Sequence, residues 1–381
     1  MRILLIGDLN SSFVRDYAFN LRKNNSGNLY LDLFATMTPV GSAMFSGFDA
    51  IYSYPDSALY RIVKQSRFVI RVLLLMSFFI RRRKRYDHIH ILYLPFDFFC
   101  LTPVLRFLKV KPIITVFGSD LMRISDSRKR LLAGFIKNSK LITFANPEIR
   151  ETVCGYYKLD FSQTRICRFG LSPLEFIKEL KPTEGEFHRL RLNLPLGKVL
   201  ICIGYNYNSN QQHQKIIGEL STNTELLKVS DQIHFILPLT YGTEEKNKDE
   251  ILTQLQKFPF SYNVFTEFLD DTQNAALRLS TDIMIQLQSN DQLSGAMQEH
   301  MYAGSVVITG NWLPYQVLRD LDLYFIGIEH VKDIGAALVS CLENLEKEKI
   351  LCSDNPEQIY RLSSWNNTIK DWESLYAKQR S

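Results

Sequence analysis

The chain has 381 residues, of which 46% are hydrophobic and 22% charged, and its formal net charge is +5. These proportions exclude a disordered polymer and leave room for two or three domains with sizeable cores. The mild positive charge suits an anionic ligand or a membrane surface and lacks the concentrated basic footprint of a nucleic-acid binder.

Arg2 to Ile6 reads as a buried parallel strand entered at once, leaving no room for a signal-peptide core. A polar turn follows, Gly7-Asp8-Leu9-Asn10-Ser11-Ser12, and then Val14, Tyr17, Ala18 and Leu21 recur at helical spacing. This opening lacks GxGxxG and does not support a dinucleotide dehydrogenase. Further strands are predicted at residues 29–35, 88–94, 113–117 and 141–145. Helical segments separate them, the alternation of a parallel sheet covered on both faces. His90 lies inside one strand, where a histidine is more often a hydrogen-bonded core residue. Six scattered cysteines without a CxxC pair argue against a disulfide framework or zinc site and fit a reducing cytoplasm.

Phe68 to Ile80, FVIRVLLLMSFFI, leads into Arg81-Arg82-Arg83-Lys84-Arg85. Its longest uncharged stretch, Val72 to Ile80, falls far short of the ~20 residues that span a bilayer. Such a helix either packs in a domain with a solvated basic end or lies in the membrane interface, its cations on anionic headgroups. Phe117-Gly118-Ser119-Asp120 closes a predicted strand. Asp120 and Arg123 therefore stand at the carboxyl edge where open α/β sheets bind ligands, and a helix N-cap is the plainer role for Asp120.

Residues 173–195 hold Pro173, Pro182, Gly185 and Pro195 among charged residues and read as a linker. Beyond it the pattern restarts with the strand Val199 to Gly204, an Asn-rich loop, helical Ile216, Ile217 and Leu220, and a strand at 234–239. Two successive α/β units predict a cleft for a substrate shielded from water. The domains expected are 1–172, 196–355, and a C-terminal helix within 356–381 packing back on the first domain. Trp365, Ile369, Trp372 and Tyr376 mark that helix's apolar face. Asp320-Leu321-Asp322 matches a DxD metal motif, but its place late in the chain gives no reason to assign a metal.

The richest stretch is Asp291 to Thr309, DQLSGAMQEHMYAGSVVIT. Leu293, Met297 and Met301 fall on one helical face, and Gly304 suits the left-handed position after the helix. The small residues Ser294, Gly295 and Ala296 open a helix N-terminus, whose unpaired N–H groups form a cradle for phosphate. Glu299 lies further in, where a carboxylate could accept from a ribose diol. Taken locally, an ordinary capped helix explains the same residues.

In their order along the chain these features resemble a GT-B glycosyltransferase of group 1, also called family 4. That family places an acidic residue, seven residues and Glu before Ala-Gly and an apolar strand, as Asp291, Glu299, Ala303-Gly304 and Val306-Val307 stand here. Thr266 to Leu269, Leu277 and Thr281-Asp282-Ile283 resemble the approach to that motif, and Tyr86 to His90 and Arg168-Phe169-Gly170 resemble earlier segments. The pattern departs in three places. Asp291 replaces the usual Glu, one methylene shorter; Gly204-Tyr205-Asn206 stands where Gly-Arg usually grips the diphosphate; and Phe117 replaces a common histidine. Phe117 to Leu121, the Asn-rich stretch ending at His213 and Pro238 to Gly242 also resemble the fucosamine transferases that act on lipid-linked sugars, which are GT-B but inverting.

The resemblance implies an α/β chain of two Rossmann-like domains facing across a cleft. It implies sugar transfer from a nucleoside-diphosphate donor to a lipid-linked or growing glycan in bacterial surface polysaccharide assembly. Glu299 would bind the ribose, Asp291 the sugar hydroxyls, and Ser294, Gly295 and Ala296 the phosphates, with His213 and Lys215 neutralising the leaving diphosphate. Asp120 and Arg123 would act on the acceptor side beside the loop of Asp8, Asn10 and Ser11. Neither cofactor nor metal is expected, and the place is the cytoplasm or the inner face of the membrane. Retention and inversion both remain open, as do a nucleotide-sugar epimerase and a non-catalytic subunit of a polysaccharide complex.

Overall fold

A computed structural model describes residues 1–25, 29–37, 47–54, 67–122, 124–181, 185–291 and 293–377. The chain divides into two compact units, Met1–Gly170 with Trp365–Ser381, and Leu171–Ser364.

The first unit runs β1 (Arg2–Gly7), α1 (Ser12–Asn24), β2 (Tyr30–Ala35), β3 (Ala50–Ser53), α2 (Arg67–Arg82), β4 (His88–Leu92), α3 (Thr102–Phe107), β5 (Ile113–Val116), α4 (Ser119–Met122), α5 (Asp126–Lys137), β6 (Leu141–Phe144), α6 (Pro147–Tyr157) and β7 (Thr164–Ile166). Its seven strands are all parallel, in the order β3-β2-β1-β4-β5-β6-β7. β1 is buried from Ile3 to Gly7 because helices cover both of its faces, which is why its sequence is an unbroken apolar run. α1 buries Val14, Tyr17, Ala18 and Leu21, the residues whose spacing predicts it.

The second unit runs α7 (Pro173–Leu180), α8 (Gly185–Arg191), β8 (Val199–Ile203), α9 (His213–Ser221), α10 (Thr224–Lys228), β9 (Ile233–Pro238), α11 (Glu245–Leu255), β10 (Tyr262–Phe265), α12 (Asp271–Ser280), β11 (Ile283–Gln286), α13 (Gly295–Ala303), β12 (Val306–Gly310), α14 (Gln316–Arg319), β13 (Ile326–Ile328), α15 (Ile334–Glu343), α16 (Leu345–Leu351) and α17 (Asn355–Ser363). Its sheet is parallel in the order β10-β9-β8-β11-β12-β13, so each unit has the Rossmann-like strand arrangement. The last helix, α18 (Trp365–Ser374), belongs to the first unit.

Two boundaries differ from the sequence expectation. Residues 173–195, read as a linker, form α7 and α8 of the second unit. Pro173 begins α7 in the first turn, where a missing N–H costs nothing, and Arg189 Nη2 of α8 donates to Asp282 Oδ2 at 2.8 Å. The segment 356–381 holds two helices in different units, separated at Ser364. Among the strands absent from the sequence reading, β3, β7, β10 and β13 are the four sheet edges. An edge strand is not buried on both faces, so it carries no continuous apolar run.

Candidate functional site

In both sheets the strand order reverses beside the first strand, between β1 and β4 and between β8 and β11. Open α/β sheets bind ligands outside the carboxyl ends at such a point. In the second unit the loops leaving β8 and β11 meet there. Gly204 follows β8 with φ +60°, and its N–H donates to the Ile285 carbonyl at 3.0 Å. A Cβ at Gly204 would lie 2.8 Å from Gln211 Oε1 and 2.9 Å from His213 Nε2, so angle and crowding both require glycine. Gln288 Nε2 donates to Tyr205 Oη at 2.7 Å and Ser289 N to Asn210 O at 2.8 Å, lacing the two loops together.

α13 begins at this seam. Ser294 caps it, Oγ accepting from Met297 N at 3.2 Å, and the N–H groups of Gly295 and Ala296 are left outside the helix's own bonding at its positive end. The helix closes on Gly304 at φ +96°, as the sequence predicts. Half-buried Asp291 accepts a 2.6 Å hydrogen bond on Oδ2 from Tyr315 Oη. Burial first, and then the charge of Asp291, raise the Tyr315 hydroxyl, which keeps its proton and donates. Glu299 is 9% exposed and its Oε2 accepts from Arg278 Nε at 3.0 Å, an ion pair between α13 and α12. Glu299 Oε1 turns toward the first turn of α13, 3.9 Å from where a Gly295 Cβ would stand.

Around this seam Arg278 Nη1 is buried with no hydrogen-bond partner among the described residues, and the buried amides of Gln286 and Gln211 face the hydroxyls of Tyr315 and Tyr205, with part of their hydrogen-bonding capacity unfilled. The register Ile203↔Ile285 sets Gln286 beside Gly204. By strand alternation its side chain shares the sheet face of Met284, which packs with Met297 and Met301 of α13. Each buried group left unfilled costs about 1–3 kcal/mol, a cost a ligand removes by supplying the partner. Sequence reasoning missed Arg278, Gln286, Tyr205 and Tyr315. The one signal for Gln286 was an amide closing an otherwise apolar strand, a polar residue at a core position.

The cation role expected of His213 and Lys215 is not supported. His213 Nε2 sits 3.3 Å from the Ile203 carbonyl, and burial pushes the imidazole down to about 4, so it is neutral at pH 7. Lys215 is exposed and donates to Gln212 Oε1 at 3.0 Å. It lines a groove of about 800 Å³ with Trp312, Glu329 and Lys332, to which no residue of 294–299 contributes.

In the first unit, Asp120 is buried in the short helix α4, and it is not the N-cap. Its Oδ2 accepts from Leu94 N at 3.1 Å and Phe117 N at 3.3 Å, tying the ends of β4 and β5, while Oδ1 is buried without a partner among the described residues. Burial raises its pKa, opposed by backbone N–H groups, those of Leu94 and Phe117 first and then those of Asp120 and Gly118. Arg123 lies outside the described residues. Asp8 Oδ1 accepts from both the backbone N and Nδ2 of Asn10 at 3.0 Å, and Ser11 N donates to Asp8 O at 3.1 Å, so the expected acceptor loop is a closed turn. Beside it stands an aromatic group unforeseen from sequence. Phe117 stacks on Phe169 at 5.1 Å, and the exposed rings of Phe13 and Tyr93 lie 5.7 and 5.9 Å from Phe117.

No protein-family model matches the sequence, and no curated protein matches it by sequence. Solved structures do match over the whole chain. A glycosyltransferase from Rickettsia africae ESF-5 is similar with TM-score 0.76 at 12% identity, covering 100% of this chain and 99% of its own. Sucrose-phosphate synthase from Thermosynechococcus elongatus gives 0.71 at 14%, covering 99% and 98%. Anabaena HepE in complex with UDP-glucose gives 0.67 at 13%, covering 98% and 99%. At these identities the likeness establishes the fold, two parallel-sheet Rossmann-like domains as in GT-B enzymes.

Proposed function

We propose that this chain is a glycosyltransferase that moves a sugar from a nucleoside-diphosphate donor to a hydroxyl of a lipid-linked or growing glycan in bacterial surface polysaccharide assembly. The observation that carries the reading is the seam between β8 and β11, where the free N–H groups in the first turn of α13, the Glu299 carboxylate held by Arg278, and the unpartnered Arg278 Nη1 come together. HepE, of the same fold, binds UDP and UDP-glucose. Glu299 Oε1 would accept from the ribose, the N–H groups of Gly295 and Ala296 would hold the diphosphate, and Asp291, aimed by Tyr315, would take a sugar hydroxyl.

In the reaction the acceptor oxygen bonds to the anomeric carbon while the bond from that carbon to the phosphate oxygen breaks, the diphosphate leaving with the electron pair. Preorganised N–H dipoles and Arg278 would stabilise that charge. The acceptor proton passes to a base, Asp120 if the reaction inverts, or to the departing phosphate if it retains. Exposed Phe13 and Tyr93 would offer ring faces to the acceptor. Neither cofactor nor metal is needed on this reading.

The test is calorimetry with UDP-, GDP- and dTDP-sugars on the native protein, Glu299→Gln and Glu299→Ala. Both variants should lose at least tenfold in affinity for the donor that binds, with Glu299→Gln keeping a native melting profile. Unchanged affinity refutes the donor assignment. Incubation with that donor alone separates a transferase, which releases at most a slow hydrolysis product, from an epimerase, which converts it.

A further inference from the structure

Helix α2 carries two apolar stripes where one would suffice to pack it. Val72, Leu75 and Phe79 are buried in the core of the first unit. Val69, Leu73 and Ile80, spaced i, i+4 and i+11, lie on another face and are 53%, 58% and 59% exposed. Phe107, at the end of α3, is 86% exposed. Its neighbour Leu108 accepts from Arg83 Nη1 at 2.9 Å, so this ring stands beside the basic end of α2.

The cations there are sorted by use. Arg82 donates to Tyr52 Oη at 2.6 Å and lies over that ring, and Arg83 is taken by Leu108. Arg81, Lys84 and Arg85 are exposed and have no ion pair among the described residues, and Arg106, Lys109 and Lys111 are exposed on the adjoining segment. The nearby carboxylates are engaged elsewhere: Asp97 with Arg71 at 3.8 Å, Asp32 accepting from Tyr86 Oη at 2.7 Å, and Asp87 accepting from Arg2 N at 2.8 Å. The patch is therefore apolar along its length and net positive at one end, where the exposed cations Arg81, Lys84, Arg85, Arg106, Lys109 and Lys111 outnumber the carboxylates Asp32 and Asp87.

We propose that this face of α2, with Phe107 and the cations Arg81, Lys84 and Arg85, seats the protein on an anionic lipid surface. The 16-residue helix is about 24 Å long, and no helix among the described residues is long and apolar enough to cross a membrane. It lies in the interface instead, Val69, Leu73 and Ile80 entering the acyl boundary while the basic end meets headgroup phosphates. An acidic protein partner would satisfy the charges but leave the stripe in water, so a surface that is anionic outside and apolar beneath fits both features. The proposal does not depend on the transfer reaction.

The experiment is flotation of the full chain with vesicles of equal phosphatidylglycerol and phosphatidylcholine, against phosphatidylcholine alone. Binding should require the anionic lipid. The triple change Arg81→Gln, Lys84→Gln, Arg85→Gln should weaken partitioning about 100-fold, at roughly 1 kcal/mol per cation near the surface. Leu73→Glu with Ile80→Glu should also abolish it, with circular dichroism unchanged because both positions are exposed. Equal binding to neutral vesicles, or binding that survives either set of changes, overturns the proposal. A dimer in sedimentation that Leu73→Glu dissociates also overturns it, assigning the stripe to a second copy.

Discussion

Gln286 closes a strand whose other residues are Ile283, Met284 and Ile285, and all four are fully buried. Its backbone carbonyl is satisfied by Thr309 Oγ1 at 2.8 Å, while its side-chain amide has the Tyr315 hydroxyl beside it and the rest of its hydrogen-bonding capacity unfilled. A buried amide with unfilled hydrogen-bonding capacity destabilises the empty protein and rewards a ligand that pairs with it. Gln286→Leu, close in volume, should raise the melting temperature of the donor-free protein while lowering donor affinity about tenfold, the equivalent of about 1.4 kcal/mol. Differential scanning calorimetry and titration of one preparation check both. Lost stability with affinity intact would make the amide an internal structural group. The residue type was visible in the sequence, but its surroundings were not, because they depend on Gly204 and Tyr315 arriving beside it from other segments.

At the scale of the element, α18 shows what periodicity can and cannot deliver. Trp365, Ile369 and Trp372 are its buried face, as their spacing predicts, and Trp372 Nε1 donates to the Arg168 carbonyl at 2.8 Å. A Cβ at Gly170 would lie 2.4 Å from the Trp365 ring, so the glycine makes room for the helix. Past its end, Tyr376 Oη is hydrogen-bonded to Tyr17 Oη at 2.6 Å and to His90 Nδ1 at 2.5 Å. His90 Nε2 continues to Thr115 Oγ1 at 2.7 Å, and Thr115 to Thr143 at 2.7 Å, a buried chain across β4, β5 and β6. Tyr376→Phe keeps the ring but orphans Tyr17 Oη and His90 Nδ1, at about 1–3 kcal/mol each. Its urea midpoint should fall with far-ultraviolet dichroism unchanged, and an unshifted midpoint would show that the chain contributes nothing net. The helical stripe is local and was legible. The hydrogen-bond chain was not, since hydroxyls and imidazoles find partners only once the sheet is assembled.

Across the whole molecule burial lowers five histidines, His88 and His234 less and three fully buried rings most: His90 pushed down to about 3, His213 to about 4, and His300 well below its ordinary value. In the unfolded chain each of these three takes a proton near pH 6.5, while in the fold it does not until far lower. Unfolding therefore binds protons as pH falls below about 6.5, and stability should drop down to about pH 4, by roughly 1.4 kcal/mol per pH unit for each histidine. Urea titrations at pH 7, 6 and 5 should show it, and a flat midpoint would mean these rings are charged or exposed in the fold.

The sequence alone determined the α/β alternation, the inner strands other than β11, the start and stop of α13 and the apolar faces of α1 and α18. Those features are written in periods of two and 3.6 and in single capping residues, so a turn or two of chain suffices to read them. It misplaced the stretch 173–195, because proline signals a break inside an element and a start at its edge. Only tertiary structure decided the rest. Strand order set the loops after β8 and β11 side by side, burial made His213 neutral, the fold brought Tyr315 to the buried Gln286, and it joined His90 to Tyr376, 286 residues away. Protonation, partnering and convergence depend on which distant segments displace water from a group, and no local pattern carries that information.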